Sequence, residues 1–295
     1  MSDITVINDS QQSDLVTNGL AKNGELYLKA SGSTNAGAIV VYDSGSWRTF
    51  ANESSPPAWN GNTYSVDFDG TNDRMDVGSG LSLSGSSTVS LWFRRTGSVS
   101  GYGGSLIATT PIYRSGFENT FAIALKNGTD VTLESYDNQS GSYTNPVAAS
   151  VVSTNTWHHI ALVLTSTDAS TSSGQFYLDG STIGSAISLS GRTLEGLNQG
   201  FTVASYQHVY PSGYNYFFPG QVDEVSVFDS ALSSSNITSI YNSGTPNDIS
   251  SLSPVGWWRM GDNDSGSGST ITDQGSGGND GTLVNSPTFS TTVPS

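Results

Sequence analysis

TWHHIALVL, residues 156–164, decides the fold. From Ile160 onward apolar residues fall on both parities, as expected of a central strand buried between two sheets. The neighbouring segments repeat the signal at half strength. In STVSLWF, Val89, Leu91 and Phe93 share one face. In TFAIALKNGTDVTLESY, Phe121, Ile123 and Leu125 share a face, Asn127-Gly128 supplies a hairpin turn, and Val131 and Leu133 return. GQFYLDGSTIG is a second hairpin, turning at Asp179-Gly180, and GQVDEVSVFD is a further strand. The chain carries 34 Gly, mostly between such runs, which signals many turns. One segment reads as helix: Ser233 as N-cap, Ile237, Ile240 and Tyr241 at helical spacing, and Gly244 as the stop. Many strands and one short helix predict an all-β protein, a sandwich of about a dozen strands in a jelly-roll arrangement.

The first 56 residues read differently from residues 57–295. GELYLKA is a short strand, and GAIVVYDSGSWRTF is a hairpin turning at Asp43-Ser44-Gly45. Two or three strands cannot bury a core alone. Ile39, Val41, Trp47 and Phe50 are therefore expected to attach this segment to a copy of itself, to another protein, or to the main domain. NESSPPAWNGN, residues 52–62, reads as the linker, stiffened by Pro56-Pro57.

Composition narrows the functional classes. Lys and Arg number 10 against 25 Asp and Glu, a net charge of −15. Nucleic acid is a poor partner for such a chain, because phosphate binding needs a basic stripe. Cys is 0, which excludes a disulfide framework and a cysteine-held zinc, and fits synthesis in a reducing cytoplasm. MSDITVINDS lacks a basic and an apolar region, so no signal peptide is expected. No apolar run approaches the ~18 residues of a membrane helix, so no membrane insertion is expected.

YSVDFDGTNDRMDVG, STVSLWFRR, NTWHHIALVL, GQFYLDGSTIG and FPGQVDEVSVFDSALSSSNITSIYNSG follow one another in order. Together they resemble the laminin-G-like or pentraxin-like group of concanavalin A-type jelly rolls, from about Tyr64 to about Gly244. In that family a strand resembling VGWWRMGD (255–262) usually precedes the FDG strand, whereas here it follows the helix. The resemblance thus implies a circularly permuted jelly roll in which 255–295 supplies the missing strand; a truncated second repeat is the alternative. The arrangement behind an N-terminal hairpin also resembles virion structural proteins of tailed phages, particularly those of marine bacteria. What this implies is a non-enzymatic structural and adhesive protein at a virion surface, in a fibre, appendage or capsid decoration. Its partners would be other virion proteins or copies of itself, with a cell-surface glycan as a further ligand. The alternatives are a bacterial carbohydrate-binding module or adhesin, and a glycan hydrolase.

Each class requires its own site residues. Glucanases on this fold carry alternating carboxylates on one strand, and no Glu here has an Asp two residues later, so a retaining pair has no visible source. His158 and His159, as strand neighbours, point to opposite faces and cannot share one metal or one substrate proton; the reading is one hydrogen-bonded and one exposed histidine. His208 is a lone histidine in a loop. Asp223 is read on the same face as Val225 and Val227, where a buried carboxylate needs a partner. The family resemblance implies a structural calcium joining Asp223 to the FDG strand, through Asp69 and the backbone at Gly70; an Asp bonded to turn amides is the alternative. DNDSGSGSTITD, 262–273, is read as a polar turn and not as a calcium loop. SYQHVYPSGYNYFFPG, 205–220, crowds Tyr206, Tyr210, Tyr214, Tyr216 and Phe217, which would contact a sugar or a partner, or else serve as half-core aromatics.

Overall fold

The computed structural model describes residues 5–7, 26–29, 39–43, 46–51, 61–99, 104–109, 120–137, 141–168, 171–189, 194–208 and 213–295. For the first four segments, and for 120, 134–146, 167–168, 171 and 207–208, it describes backbone only. The chain divides into two units, Met1–Ala58 and Trp59–Ser295.

In the first unit β1 (Thr5–Ile7), β2 (Leu26–Lys29), β3 (Ile39–Asp43) and β4 (Ser46–Ala51) form one sheet in that order. The expected hairpin is present, with Asp43 paired to Ser46 and Val41 to Arg48. The described residues of this unit form four strands, against an expectation of two or three, because β1 adds in parallel to β2.

In the second unit the strands run β5 (Ser65–Asp69), β6 (Arg74–Val77), β7 (Ser87–Arg95), β8 (Gly104–Thr109), β9 (Thr120–Lys126), β10 (Asp130–Asp137) and β11 (Gly141–Ala148). They continue with β12 (Trp157–Asp168), β13 (Thr171–Leu178), β14 (Ser181–Ser188), β15 (Phe201–Val203), β16 (Tyr206–His208), β17 (Gly213–Asn215) and β18 (Pro219–Phe228). After α1 (Ser234–Tyr241) come β19 (Gly256–Trp258), β20 (Thr270–Ile271), β21 (Gly281–Val284) and β22 (Thr288–Ser290). Two antiparallel sheets result, β14-β13-β12-β7-β18-β5-β22, with β19 also on β18, and β11-β10-β9-β8-β15-β6-β21-β20. This is a jelly-roll sandwich. Its core lies between the sheets, where Ile160, Leu162 and Leu164 of β12 meet Ile107, Ile123, Leu133, Phe201 and Met75 of the other layer. The opposite parity of β12, Ala161 and Val163, is buried too, under Ile237 and Ile240 of α1, which explains why this strand reads apolar on both faces.

Turn chemistry follows the sequence. Asn127-Gly128 and Asp179-Gly180 all take positive φ, as tight hairpins require. Ser233 caps α1, its side chain accepting from the amide of Asn236. The helix stops earlier than read: Asn242, at φ 43°, is the left-handed C-cap, ahead of Gly244.

The segment from Val255 onward supplies four strands rather than one, and feeds both sheets. On one edge of β18, β5 pairs with Pro219–Val222 and β19 with Val225–Val227, so the two occupy one row end to end. Trp258 and Met260 enter the inter-sheet core and Trp257 the cluster under α1. Trp258 stands edge-on to Phe201 at 5.2 Å and donates its Nε1 to the carbonyl of Asn279.

Candidate functional site

The outer face of the second sheet has a floor of small residues. Inner-facing Ile107, Ile123, Phe201 and Met75 alternate with outer-facing Ala108 on β8, Ala122 on β9, Thr202 on β15, and Arg74 and Asp76 on β6. The β16–β17 hairpin lies over this floor. Residues with unusual backbone bend it there, Ala204 at φ 65° and Tyr216 at φ 55°, and the amide of Ser105 bonds the carbonyl of Tyr216. Tyr206 and Tyr216 stack at 4.5 Å between ring centroids and pack on Ala108 and Ala122.

The expected aromatic contacts therefore separate by depth. Tyr206 is 2% exposed and is a packing residue. Tyr214, Tyr216 and Phe217 are half-buried. Tyr210 lies outside the described residues. Tyr214 is distinguished by its neighbour: the Arg74 guanidinium sits 3.6 Å from the ring centroid, and its Nε and Nη2 donate to Asp76 at 2.8 and 3.1 Å. The result is an aromatic plane clamped on one face and rimmed by a fixed pair of opposite charges. Arg74 and Asp76 escaped the sequence reading. Their signal was the RMD alternation, which sets two charged residues on one face of a strand.

The residues assigned to calcium do not converge. Asp69 pairs with Pro219, four residues before Asp223 on β18, which separates them by about 13 Å along the strand. Ligands to one calcium lie about 2.3–2.6 Å from it, so no single ion joins them. Asp69 is instead the carboxylate bonded to turn amides, accepting from Thr71, Asn72 and Asp73. Burial pushes its carboxyl up, but these amides outweigh it and hold the group below the usual range. Gly70, at φ 73°, is required because a Cβ would lie 2.6 Å from Pro219 Cβ. Among the described residues no group of three His, Asp or Glu is placed to hold a metal.

Asp223 is also on the other face from Val225 and Val227. A bulge between Asp223 and Ser226, with Glu224 at φ 45°, reverses the alternation: Val222 pairs with core residue Phe93 and Asp223 with Trp92. The bulge builds a buried polar cluster. Glu224 accepts from Trp257 Nε1 and Arg259 Nε, Arg259 also donates to Asp262, and Asp262 accepts the amides of Thr63 and Tyr64. Asp223 accepts from Asn62 Nδ2 at 3.0 Å and from the amide of Glu224 at 2.8 Å. Burial, then the neighbouring Glu224, pushes the Asp223 carboxyl well up.

His158 and His159 do face opposite sides, but both are buried, at 7% and 0% exposure. His159 lies under α1, its Nε2 2.7 Å from Ser90 Oγ and its ring beside Trp92 and Tyr241; burial pulls its pKa down to about 4. His158 places Nδ1 2.8 Å from Asp179 Oδ2 and Nε2 3.1 Å from Ser153 Oγ. His208 lies in β16. Ile39 and Val41 lie in β3, Trp47 and Phe50 in β4; their side chains lie outside the described residues.

A family model described as the Concanavalin A-like lectin/glucanases superfamily matches residues 69–238. No curated protein matches the sequence. Among solved structures, a putative carbohydrate binding protein from Bacteroides ovatus is similar over 92% of this chain and 71% of its own, at 17% identity and a TM-score of 0.55. A heptameric SAP-like pentraxin from Limulus polyphemus is similar over 61% of this chain and 82% of its own, at 15% identity and TM-score 0.45. The CBM40 of Ruminococcus gnavus IT-sialidase, bound to α2,3 sialyllactose, is similar over 60% and 96%, at 13% identity and TM-score 0.45. The first of these likenesses carries the fold.

Proposed function

From the premise that the chain belongs to the Concanavalin A-like lectin/glucanases superfamily, we propose that it is a glycan-recognition and structural protein of a virion surface, in a tailed-phage fibre, appendage or capsid decoration. It holds glycan without cutting the glycosidic bond. The observation that carries glycan recognition is the Tyr214 ring clamped by Arg74 beside Asp76 on the outer face of the second sheet. A sugar ring stacks its C–H face on an aromatic plane, and its hydroxyls bond a fixed carboxylate and guanidinium. The virion assignment rests on the sequence resemblance and on the N-terminal hairpin as attachment element, with virion proteins or further copies of the chain as its partners. The permuted connection is favoured by β5 and β19 sharing one row on β18, because a strand from either end of the domain can fill that row.

A glycan array probed with the full chain tests the reading. Binding should fall at least tenfold in Tyr214→Ala and Arg74→Ala, with near-UV circular dichroism unchanged. Tyr206→Ala should chiefly lower Tm. A chain that binds no glycan, or a Tyr214→Ala variant that binds as well as the parent, sinks the site. Attachment is read separately, by adding full-length and Trp59–Ser295 protein to particles lacking it; equal uptake would relocate attachment to the jelly roll.

A further inference from the structure

We propose that Ser153 is an activated nucleophile, part of an acyl-transfer site with His158 and Asp179 that takes acyl esters. This goes beyond glycan recognition and does not rest on it. Three segments bring the groups together: the loop before β12, the start of β12, and the β13–β14 hairpin. Asp179 Oδ2 lies 2.8 Å from His158 Nδ1, and His158 Nε2 lies 3.1 Å from Ser153 Oγ. Nucleophile, base and orienting carboxylate thus stand in the order that acyl transfer needs.

The tautomer follows from a group that cannot rotate. The backbone N–H of Ser153 donates to His158 Nε2 at 3.2 Å, so that nitrogen offers a lone pair and the ring proton sits on Nδ1, facing Asp179. Asp179 is itself fixed, its Oδ1 accepting the amide of His159 at 2.9 Å. The loop is tied down on both sides of the serine. The amides of Val151 and Val152 bond the carbonyl of Thr129, and that of Asn155 bonds the carbonyl of Arg95. Ser153 is nevertheless exposed while His158 is buried, which leaves the oxygen accessible and the base shielded.

The donor next to the nucleophile is a backbone amide. The amide of Thr154, the residue after the serine, makes no hydrogen bond among the described residues. Arg95, 9% exposed, donates to Thr154 Oγ1 and so fixes the residue that carries this amide. The Thr154 amide is thus a donor for the oxygen that becomes negative in a tetrahedral intermediate. In the step, the Ser153 amide releases the single Nε2 lone pair, Ser153 Oγ bonds the carbonyl carbon and its proton passes to His158 Nε2. The C–O bond to the leaving alcohol then breaks, the alcohol taking that proton and leaving an acyl-serine. Water attacks the acyl-serine by the same route and restores the hydroxyl. The exclusion of His158 by its facing away from His159 does not touch this pairing, because its partners come from other segments.

A fluorophosphonate probe on the full chain, read by intact mass and peptide mapping, tests the proposal. Ser153 should be phosphonylated at least a hundredfold faster than Ser150, which is exposed in the same loop. Ser153→Ala should abolish the label with Tm unchanged. His158→Gln keeps an acceptor for the loop but no base, and should lose the label while folded. Asp179→Asn should slow labelling at least tenfold and alter its pH profile, which a purely structural bond would not do. A folded parent that stays unlabelled, labelling of Ser153 no faster than Ser150, or full labelling in His158→Gln would each overturn the proposal.

Discussion

Glu224 shows how one residue can make stability depend on pH. Burial pushes its pKa from 4.5 to about 7, against the pull of Arg259 and the Trp257 hydrogen bond. The folded state therefore binds this proton more tightly than the unfolded chain. The stability it contributes is full below about pH 4.5 and is lost as pH rises through about 7. At about 1.4 kcal/mol per pH unit, the loss is on the order of 3 kcal/mol. Asp223 and Asp262, also raised chiefly by burial, act in the same sense. Tm should thus fall between pH 5 and pH 8, as a calorimetric series would record; a Tm that rises across that window contradicts the cluster as described. Asp223→Asn should flatten the fall and raise Tm at pH 8. The new amide can still accept the Glu224 N–H, and Asn62 can turn toward it its buried Oδ1, which has no partner among the described residues. The gain is about 2–4 °C per kcal/mol recovered. Sequence could mark Asp223 as a buried carboxylate in need of a partner. It could not place the bulge, because the αL turn at Glu224 has no glycine to announce it.

Elements were the most legible scale. Strand alternation, two hairpin turns and the Ser233 cap all carry local signals, and each appears where its residues put it. The segment after the helix was harder. Its Trp pair announced one strand, whereas β20, β21 and β22 are two to four residues long and show no alternation to read. Their pairing is decided by the sheets they join. Removing 255–295 should strip both sheets of their outer strands and give insoluble protein; a soluble monomer with native near-UV circular dichroism would show the segment dispensable. Trp258→Ala is the milder test. A fully buried ring lost from the core should cost about 3–5 kcal/mol, measured by urea unfolding. A loss below 1 kcal/mol would mean that β19 is not a packing element.

For the whole molecule, sequence indicated two regions and an all-β sandwich, because the composition break near the double proline and the many turns are chain-wide signals. Convergence between distant strands was not legible. Asp69 and Asp223 are each well placed locally, yet register holds them apart. Chelator added to the purified protein should accordingly leave the melting curve unchanged, and a Tm lowered by chelator and restored by calcium would point to a site other than this pair. Among the described residues, no helix is long and apolar enough to cross a membrane. The row that β5 and β19 share on β18 also sets a timetable. A ribosome delivers β5 and β6 early, and β22 and β21, which cover one side of each, only after all the others. Until then the nascent jelly roll leaves β5 and β6 open on one side, one strand in each layer, which makes any prematurely terminated product prone to aggregate.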